Sequence, residues 1–148
     1  MKPTGTPETV RLTAGQALVR YLAAQHSERD GVRRRVIPAM FGIFGHGNVC
    51  GVGQALEQEP ELMPYLQPKN EQAMVHTAIG YAKANERLAT LACSASIGPG
   101  ATNMVTGAAT ATVNRIPVLL LPSDTFATRL QGPPMQSLDD PFNPEVTV

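Results

Sequence analysis

The amino-acid sequence predicts an α/β fold in which a mainly parallel sheet carries helices on both faces. Short apolar segments typical of buried strands alternate with helical segments in four strand-plus-helix units. Glycine-rich turns follow two of these strands and open the next helices, as they do at the ligand-binding edge of open α/β sheets. The chain has 148 residues, 43% of them hydrophobic, which suffices for one domain with a sizeable core.

The N-terminal part predicts a tail, a helix and a polar loop. Residues 1–11 lack periodicity and are expected to form a flexible tail. Thr13 and Gln16 have the spacing of a capping box and precede an apolar helical stripe. Residues 27–35 are polar and predict a loop. Its basic triplet, Arg33–Arg35, is interpreted as a solvated face, with an anion site as the alternative.

The first glycine-rich turn follows an apolar strand predicted over residues 36–43. It reads Phe-Gly-His-Gly-Asn at residues 44–48 and leads into a helical segment over 49–56. Its glycines miss the dinucleotide pattern Gly-x-Gly-x-x-Gly by one residue, and the sequence contains no Gly-x-x-x-x-Gly-Lys-Ser/Thr loop. His46 lies between two glycines of this turn. It is therefore a candidate functional residue, with an ordinary turn residue as the alternative.

A carboxylate opens the helix around which the other candidate residues are arranged. A short strand is predicted over residues 62–67, and Asn70 is a good N-cap for the Ala/Gly-rich helix that runs through Ala82. Glu71 lies in the first turn of that helix. An acid there can simply complement the helix dipole, or it can be a functional group at the edge of an apolar site.

The second glycine-rich turn follows a buried strand predicted over residues 87–93. It reads Ser-Ala-Ser-Ile-Gly-Pro-Gly-Ala-Thr-Asn at residues 94–103 and opens a helix of small residues, which suit close packing against another element. The last predicted strand covers residues 116–122, and Asp124 lies just beyond its end. A glycine-rich turn at the carboxyl end of a strand is where open α/β sheets bind ligands.

Composition restricts the partners and the cellular compartment. Twelve basic and twelve acidic side chains give a formal charge of zero, so no global field attracts nucleic acid or a membrane surface. Cys50 and Cys93 do not form a CxxC motif and are expected to be core thiols. With no signal peptide or bilayer-length apolar run evident, a cytoplasmic setting is favoured. Residues 131–148 carry four prolines and are expected to form a linker or extended arm.

Three motifs of this sequence occur together in one known family. They are Asn-Glu-Gln at residues 70–72, the turn at 96–103, and Ile-Pro-Val-Leu-Leu-Leu at 116–121. Together they resemble the pyrimidine-binding domain of thiamine-diphosphate enzymes such as acetolactate synthase. The resemblance covers residues 12–130 and implies a three-layer α/β domain whose C-terminal part is missing. Within the superfamily, the turn at 44–48 is most similar to that of the trihydroxycyclohexanedione hydrolases, which open a cyclic 1,2-diketone by C–C cleavage in myo-inositol degradation.

The resemblance implies roles for individual residues. In the family, the glutamate at the place of Glu71 hydrogen-bonds N1′ of the cofactor's aminopyrimidine and assists removal of the proton from thiazolium C2. Glu71 is therefore expected to be catalytic. His46 and Asn48 are expected to face the substrate, with His46 as the second catalytic residue. The residues expected to contact the cofactor beside Glu71 share positions at strand ends and are Asn48, Ser96, Gly98 and Asp124.

The resemblance also implies partners outside this chain. The family binds Mg²⁺ and the diphosphate through a Gly-Asp-Gly motif of a separate domain, and that motif does not occur here. We therefore expect a fragment or separate subunit of a longer, at least dimeric enzyme, with no metal ligands of its own and no activity alone. The alternatives are a thiamine-diphosphate enzyme of the acetolactate synthase or 2-oxoacid decarboxylase type and, from another class, a noncatalytic nucleotide-binding or interaction module.

Overall fold

The described part of the chain, residues 9–124 of a computed structural model, contains a four-stranded sheet and a separate two-stranded hairpin. Its strands are β1 (His26–Arg29), β2 (Val32–Arg35), β3 (Met40–Ile43), β4 (Tyr65–Leu66), β5 (Ala92–Ala95) and β6 (Leu119–Pro122). The sheet has the order β4-β3-β5-β6, and all of its described pairs are parallel. The predicted parallel sheet is confirmed.

Helices cover both faces of this sheet. They are α1 (Ala14–Ala23), α2 (His46–Asn48), a π-helical turn (Val49–Gly53), α3 (Gln54–Gln58), α4 (Glu71–Ala84), α5 (Pro99–Asn103) and α6 (Val105–Val113). On one face, Met40 and Ala92 pack in a core cluster with residues of α1 and α3. On the other face, Cys93 and Ala95 pack with residues of α4 and α6. The result is a three-layer α/β arrangement, as predicted.

The two predicted helix starts are confirmed by their hydrogen bonds. The Gln16 backbone N–H donates to the Thr13 hydroxyl at 3.2 Å, and the Thr13 N–H donates to the Gln16 side chain at 2.9 Å. At the start of α4, the Ala73 N–H donates to the Asn70 side-chain oxygen at 3.1 Å. The cap at Asn70 fixes the point at which the chain enters α4, and with it the place of Glu71.

The segment predicted as a polar loop is instead a β-hairpin. Strands β1 and β2 pair antiparallel around Asp30 and Gly31, whose φ angles of 54° and 75° define a tight turn of the type that favours an Asp-Gly pair. The hairpin is anchored by the Ser27 hydroxyl, which donates to the Leu88 carbonyl at 2.7 Å, and by an ion pair between Arg29 and Glu86. The loop prediction was therefore wrong for residues 27–35.

Four strands are shorter than the segments that predicted them. Strands β3 and β6 occupy the C-terminal parts of the predicted segments 36–43 and 116–122, and β4 covers two residues of 62–67. Strand β5 begins near the end of the predicted segment 87–93 and runs two residues beyond it. Proline at positions 38 and 117 has no backbone N–H to give to a ladder. Glu86 and Arg87 adopt positive φ angles of 56° and 64°, which turn the chain before β5 begins.

The two cysteines differ in environment. Cys93 on β5 is fully buried, and this burial raises the pKa of its thiol to about 12, so it is an inert core thiol as predicted. Cys50 is exposed, because its position in the π-helical turn faces an open groove rather than the core. The prediction of a core thiol was wrong for Cys50.

The terminal predictions fall mainly outside the part of the chain that the structure describes. Residues 9–11 have no regular secondary structure, and the rest of the predicted tail and the whole predicted arm, 131–148, lie beyond the described range. Within residues 9–124, no helix is both long enough and apolar enough to cross a membrane.

Candidate active site

The candidate residues meet at one edge of the sheet, where the strand order reverses. After β3 the chain moves to β4 on one side, whereas after β5 it moves to β6 on the other. In open α/β sheets the crevice at such a reversal, beyond the carboxyl ends of the strands, is where ligands bind. His46 and Asn48 follow β3 at this edge, and Ser96 and Gly98 follow β5. The two glycine-rich turns are therefore neighbours.

Glu71 projects from the first turn of α4 toward the second glycine-rich turn. Its side chain is half-buried, and its Oε2 accepts a hydrogen bond of 2.8 Å from the Asn103 side-chain amide at the end of α5. Its other oxygen, Oε1, lies 3.4 Å from the position that a Cβ on Gly100 would occupy. The carboxylate therefore has one oxygen held by Asn103 and the other facing the turn at 96–100.

The second glycine-rich turn brings backbone unusually close to Ser96. Gly98 has φ +69°, a conformation that side chains disfavour, and Pro99 then begins α5. A Cβ on Gly100 would lie 2.2 Å from the Ser96 hydroxyl, so only glycine lets this hydroxyl approach the backbone so closely. Ser96 itself is 7% exposed. We call Glu71, Ser96, Gly100 and Asn103 the carboxylate cluster.

Asn48 connects the first glycine-rich turn to β5. Its side-chain amide donates to the hydroxyl of Ser94 at 3.0 Å and lies 3.5 Å from the Ala95 carbonyl. The Ala95 carbonyl also accepts from the backbone N–H of Ser123 at 2.9 Å and from the Ser123 hydroxyl at 3.2 Å. Asp124, next to Ser123, is exposed at the same end of the sheet. Residues that follow β3 and β6 therefore both approach the carbonyl of Ala95, the last residue of β5.

His46 lies at the rim of this region rather than within it. It is the first residue of α2 and is exposed to solvent, with Gly45 before it in an extended conformation. The structure therefore groups the predicted residues in three places. Glu71 and Ser96 belong to the carboxylate cluster, and Gly98 lies in the same turn as Ser96. Asn48 and Asp124 lie near the Ala95 carbonyl, and His46 lies at the rim. Because Ala95 and Ser96 are consecutive, the first two groups adjoin each other.

Three residues of this site were not expected from the sequence to have a role of their own. They are Ser94, Gly100 and Asn103, all of which belong to the second glycine-rich turn as predicted over residues 94–103. A signal existed for Asn103 and Ser94, since each is a polar residue within an otherwise small or apolar segment. The partners of those polar groups depend on the packing of elements that are far apart in sequence.

A separate apolar groove lies on the outer side of the helix that follows β3. It encloses about 800 Å³, and Phe44, Val49, Cys50 and Leu56 contribute to its lining. The Phe44 and Tyr65 rings, both in its lining, stack with centroids 5.3 Å apart, and the Tyr65 hydroxyl donates to the Gly42 carbonyl at 3.0 Å. Desolvation raises the pKa of this hydroxyl, so a group that is already protonated at neutral pH keeps its proton to a higher pH.

The fold agrees with comparisons to known proteins. A family model described as thiamine pyrophosphate enzyme, N-terminal TPP binding domain, matches residues 12–143. The 3D-(3,5/4)-trihydroxycyclohexane-1,2-dione hydrolase of Clostridium tetani is 50% identical over 140 residues, which are 95% of this chain and 22% of that protein. The protein of the same name from Geobacillus thermodenitrificans is 53% identical over 131 residues, 88% of this chain and 20% of that protein.

The match to the family model covers most of the chain, whereas the chain spans only 20 to 22% of the length of these curated relatives. A match of this extent establishes the family and the type of domain. The chain belongs to the thiamine pyrophosphate enzymes and corresponds to their N-terminal domain, which binds thiamine pyrophosphate.

Proposed function

We propose that this chain forms the aminopyrimidine site of a thiamine-diphosphate enzyme that hydrolytically cleaves a C–C bond of a cyclic 1,2-diketone. The observation that carries the proposal is the half-buried Glu71 carboxylate, which begins α4 and faces the glycine-rich turn at the switch point of the sheet. One of its oxygens is already bonded to Asn103, and the other faces Gly100. A carboxyl group in such a place can hold or share one proton with a ring nitrogen.

The residues of the carboxylate cluster fit an aminopyrimidine. A flat heteroaromatic ring needs a hydrogen-bonding group at its edge and close approach to backbone at its face. Glu71 supplies the first, and the side-chain-free backbone of Gly98 and Gly100 in the adjacent turn supplies the second. Ser96 adds a hydroxyl next to Gly100. The proposed cofactor contacts at Gly98, Asn48 and Asp124 stay predictions at the same edge of the sheet.

Glu71 and its neighbours have different tasks in the proposed reaction. Thiamine diphosphate, when bound, supplies a carbon nucleophile and an electron sink for C–C cleavage. Glu71 holds the proton at the pyrimidine nitrogen, and Asn103 bonds the carboxylate oxygen that does not face the turn. The apolar residues of α4, including the buried Met74 and Val75, restrict water on the inner side of the carboxylate. Proton transfer by a group placed in this way contributes about 10² to 10⁴ in rate.

The proposed substrate class rests on the relatives and on the first glycine-rich turn. Proteins at 49 to 53% identity carry the name of a trihydroxycyclohexanedione hydrolase. His46 lies exposed at the rim of the switch-point crevice, where an imidazole can bond the oxygens of a polyhydroxylated ring. We therefore propose His46 as the substrate-facing catalytic residue, with Asn48 beside it.

The proposed partners complete the site. Mg²⁺ and the diphosphate are proposed to bind to another domain of the enzyme, since the family's Gly-Asp-Gly motif does not occur in these 148 residues. A second protomer is proposed to cover the outer face of α4 and α6, where Val105 is 59% and Val113 83% exposed. A cytoplasmic location is proposed because Cys50 and Cys93 are both free thiols. The chain alone is proposed to be inactive.

The proposal is tested by the substrate preference of the full-length enzyme. With thiamine diphosphate and Mg²⁺ present, we expect ring opening of trihydroxycyclohexane-1,2-dione, which consumes water and releases a carboxylic acid that a pH-stat detects. The kcat/KM for this dione is expected to exceed that for pyruvate by about 100-fold or more, because a site built for hydroxyl groups rejects an analogue that lacks them. A preference for pyruvate would support the acetolactate synthase or decarboxylase alternative.

Replacing His46 with alanine is expected to impair turnover of the substrate and to leave cofactor binding unchanged. Loss of one hydrogen bond to a substrate oxygen should lower kcat/KM for the dione about tenfold, while the Kd of thiamine diphosphate stays unchanged. The matched control is His26→Ala, since His26 is an exposed histidine on the remote β1–β2 hairpin. An equal loss of cofactor affinity in His46→Ala would instead identify His46 as a structural residue of the turn.

A further inference from the structure

One contact of the carboxylate cluster selects among the possible positions of the Glu71 side chain. Asn103 and Glu71 lie on different helices, 32 residues apart in sequence, and their side chains meet at 2.8 Å in a half-buried position. An ionised carboxylate only accepts hydrogen bonds, so the amide must present its N–H₂ group to Glu71. Hydrogen bonds to charged acceptors are stronger than neutral ones.

This contact leaves the two oxygens of Glu71 in different situations. Oε2 is engaged by Asn103, whereas Oε1 faces the space beside Gly100 and Ser96. A free glutamate side chain samples many rotamers, and ordering such a side chain has an entropic cost. A bond to one oxygen made before the ligand arrives removes part of that freedom and fixes which oxygen is presented.

The backbone around Asn103 holds its amide in place. Asn103 is the last residue of α5, a short helix whose start is set by the positive φ of Gly98 and by Pro99. One helical turn beyond Glu71 on α4, Val75 lies against Gly107 of α6, so closely that a Cβ on Gly107 would be 2.6 Å from Val75 Cβ. This close approach of α4 and α6 keeps Asn103 within reach of Glu71.

We infer that Asn103 is a positioning residue, which orients the Glu71 carboxylate so that Oε1 faces the pyrimidine ring. The inference rests on the proposed function, because it assumes that Glu71 bonds a ring nitrogen of thiamine diphosphate. Asn103 acts only through Glu71 and does not itself exchange the proton. Its loss should therefore slow the step that Glu71 serves while leaving the remaining cofactor contacts in place.

The test measures exchange of the C2 proton of bound thiamine diphosphate for deuterium in the full-length enzyme, without any substrate. Asn103→Leu removes the donor at similar volume, and Asn103→Asp keeps the shape but replaces the donor with an acceptor that opposes Glu71. Both variants are expected to slow C2 exchange about 10- to 100-fold, as misplacement of a catalytic group by a fraction of an ångström to one ångström does. The Kd of the cofactor, measured by calorimetry with Mg²⁺, should change less than about threefold, because the loss of Asn103 leaves the remaining cofactor contacts in place.

Three further proteins make the result decisive. Asn114→Leu, the same change at the end of α6 and away from Glu71, should exchange like the wild type. Asn103→Gln, which retains the amide, should recover part of the lost rate. Adding Asn103→Leu to Glu71→Gln should slow exchange no further, because the two residues act as one unit.

The outcomes separate this inference from the proposed function on which it rests. If Glu71→Gln exchanges C2 as fast as the wild type, the proposed role of Glu71 is wrong. If Glu71→Gln is slow but Asn103→Leu exchanges normally, the inference about Asn103 alone is overturned. Should Asn103→Leu fail to fold, the isosteric Asn103→Asp decides in the same way, with unaltered exchange overturning the inference.

Discussion

Glu71→Gln is expected to lower kcat of the full-length enzyme at least about 100-fold, because an amide cannot share a proton with a ring nitrogen. The fold should survive the change. The glutamine side chain keeps a carbonyl oxygen that can accept the bond from Asn103, and loss of the charge in the first turn of α4 costs only about 0.3 to 1 kcal/mol. Steady-state kinetics with the dione, beside calorimetric titration of the cofactor, separate the effect on chemistry from an effect on binding.

Glu61→Gln is the matched control for this substitution. Glu61 is an exposed glutamate in the segment that precedes β4, outside the carboxylate cluster, so its replacement makes the same chemical change without touching the site. We expect it to retain full activity. A Glu71→Gln enzyme that keeps more than about a tenth of the wild-type kcat would contradict the catalytic assignment, since positioned proton transfer contributes more than that.

The parts of the fold that were predicted correctly depend on local signals. The capping box at Thr13 and the N-cap at Asn70 join residues three positions apart, so they can be predicted without any knowledge of the tertiary structure. The apolar character of β5 likewise reflects its burial on both faces, which a central parallel strand requires. Because Asn70 caps α4, the position of Glu71 at the beginning of that helix could also be predicted.

The β1–β2 hairpin was missed because its strands carry no hydrophobic pattern. Most of its residues are exposed, and the strand sequences His-Ser-Glu-Arg and Val-Arg-Arg-Arg lack the alternation of a half-buried strand. The pair Asp30-Gly31 was the available signal, since it favours a two-residue hairpin turn. Its anchoring contacts, such as the bond from Ser27 to the Leu88 carbonyl, join residues 61 positions apart and have no local signature.

The turns that form the site could be predicted from the sequence, but the side-chain contacts within it could not. The glycine-rich turns at the ends of β3 and β5 indicated where a ligand binds, because the carboxyl ends of parallel strands share one edge. The side-chain contacts within that edge follow from how the helices pack. Asn103 reaches Glu71, and Asn48 reaches Ser94, across 32 and 46 residues, so neither pair could be derived from spacing along the chain.

The close packing of α4 and α6 determines whether the carboxylate cluster can form. Val75 lies one turn beyond Glu71 on α4, and Gly107 lies about one turn beyond Asn103, so the contact between Val75 and Gly107 adjoins the hydrogen bond of the site. A Cβ on Gly107 would lie 2.6 Å from both Cβ and Cγ1 of Val75. The Cβ of a valine is fixed to its backbone, so the helices themselves would have to separate.

Gly107→Ala is therefore expected to destabilise the pairing of α4 with α6 by about 1 to 3 kcal/mol through overpacking, offset in part by about 1 kcal/mol of helix propensity. Gly80→Ala is the control, because Gly80 is also a glycine within a helix but a Cβ there meets nothing within 4 Å. Gly80→Ala should therefore gain only the stabilisation of about 1 kcal/mol that comes from the higher helix propensity of alanine. The difference between the two variants therefore isolates the effect of the overlap.

Hydrogen exchange of the amides of α4 and α6 measures this effect locally in the full-length enzyme, where global unfolding involves other domains. Gly107→Ala should lose protection in both helices, and Gly80→Ala should not. Measurements at several protein concentrations would reveal a contact of Gly80 with a second protomer, since such a contact makes protection depend on concentration. Because separating the helices also withdraws Asn103 from Glu71, Gly107→Ala should slow exchange of the cofactor's C2 proton as well. Unchanged protection together with unchanged C2 exchange would mean that the contact between Val75 and Gly107 does not control the geometry of the carboxylate.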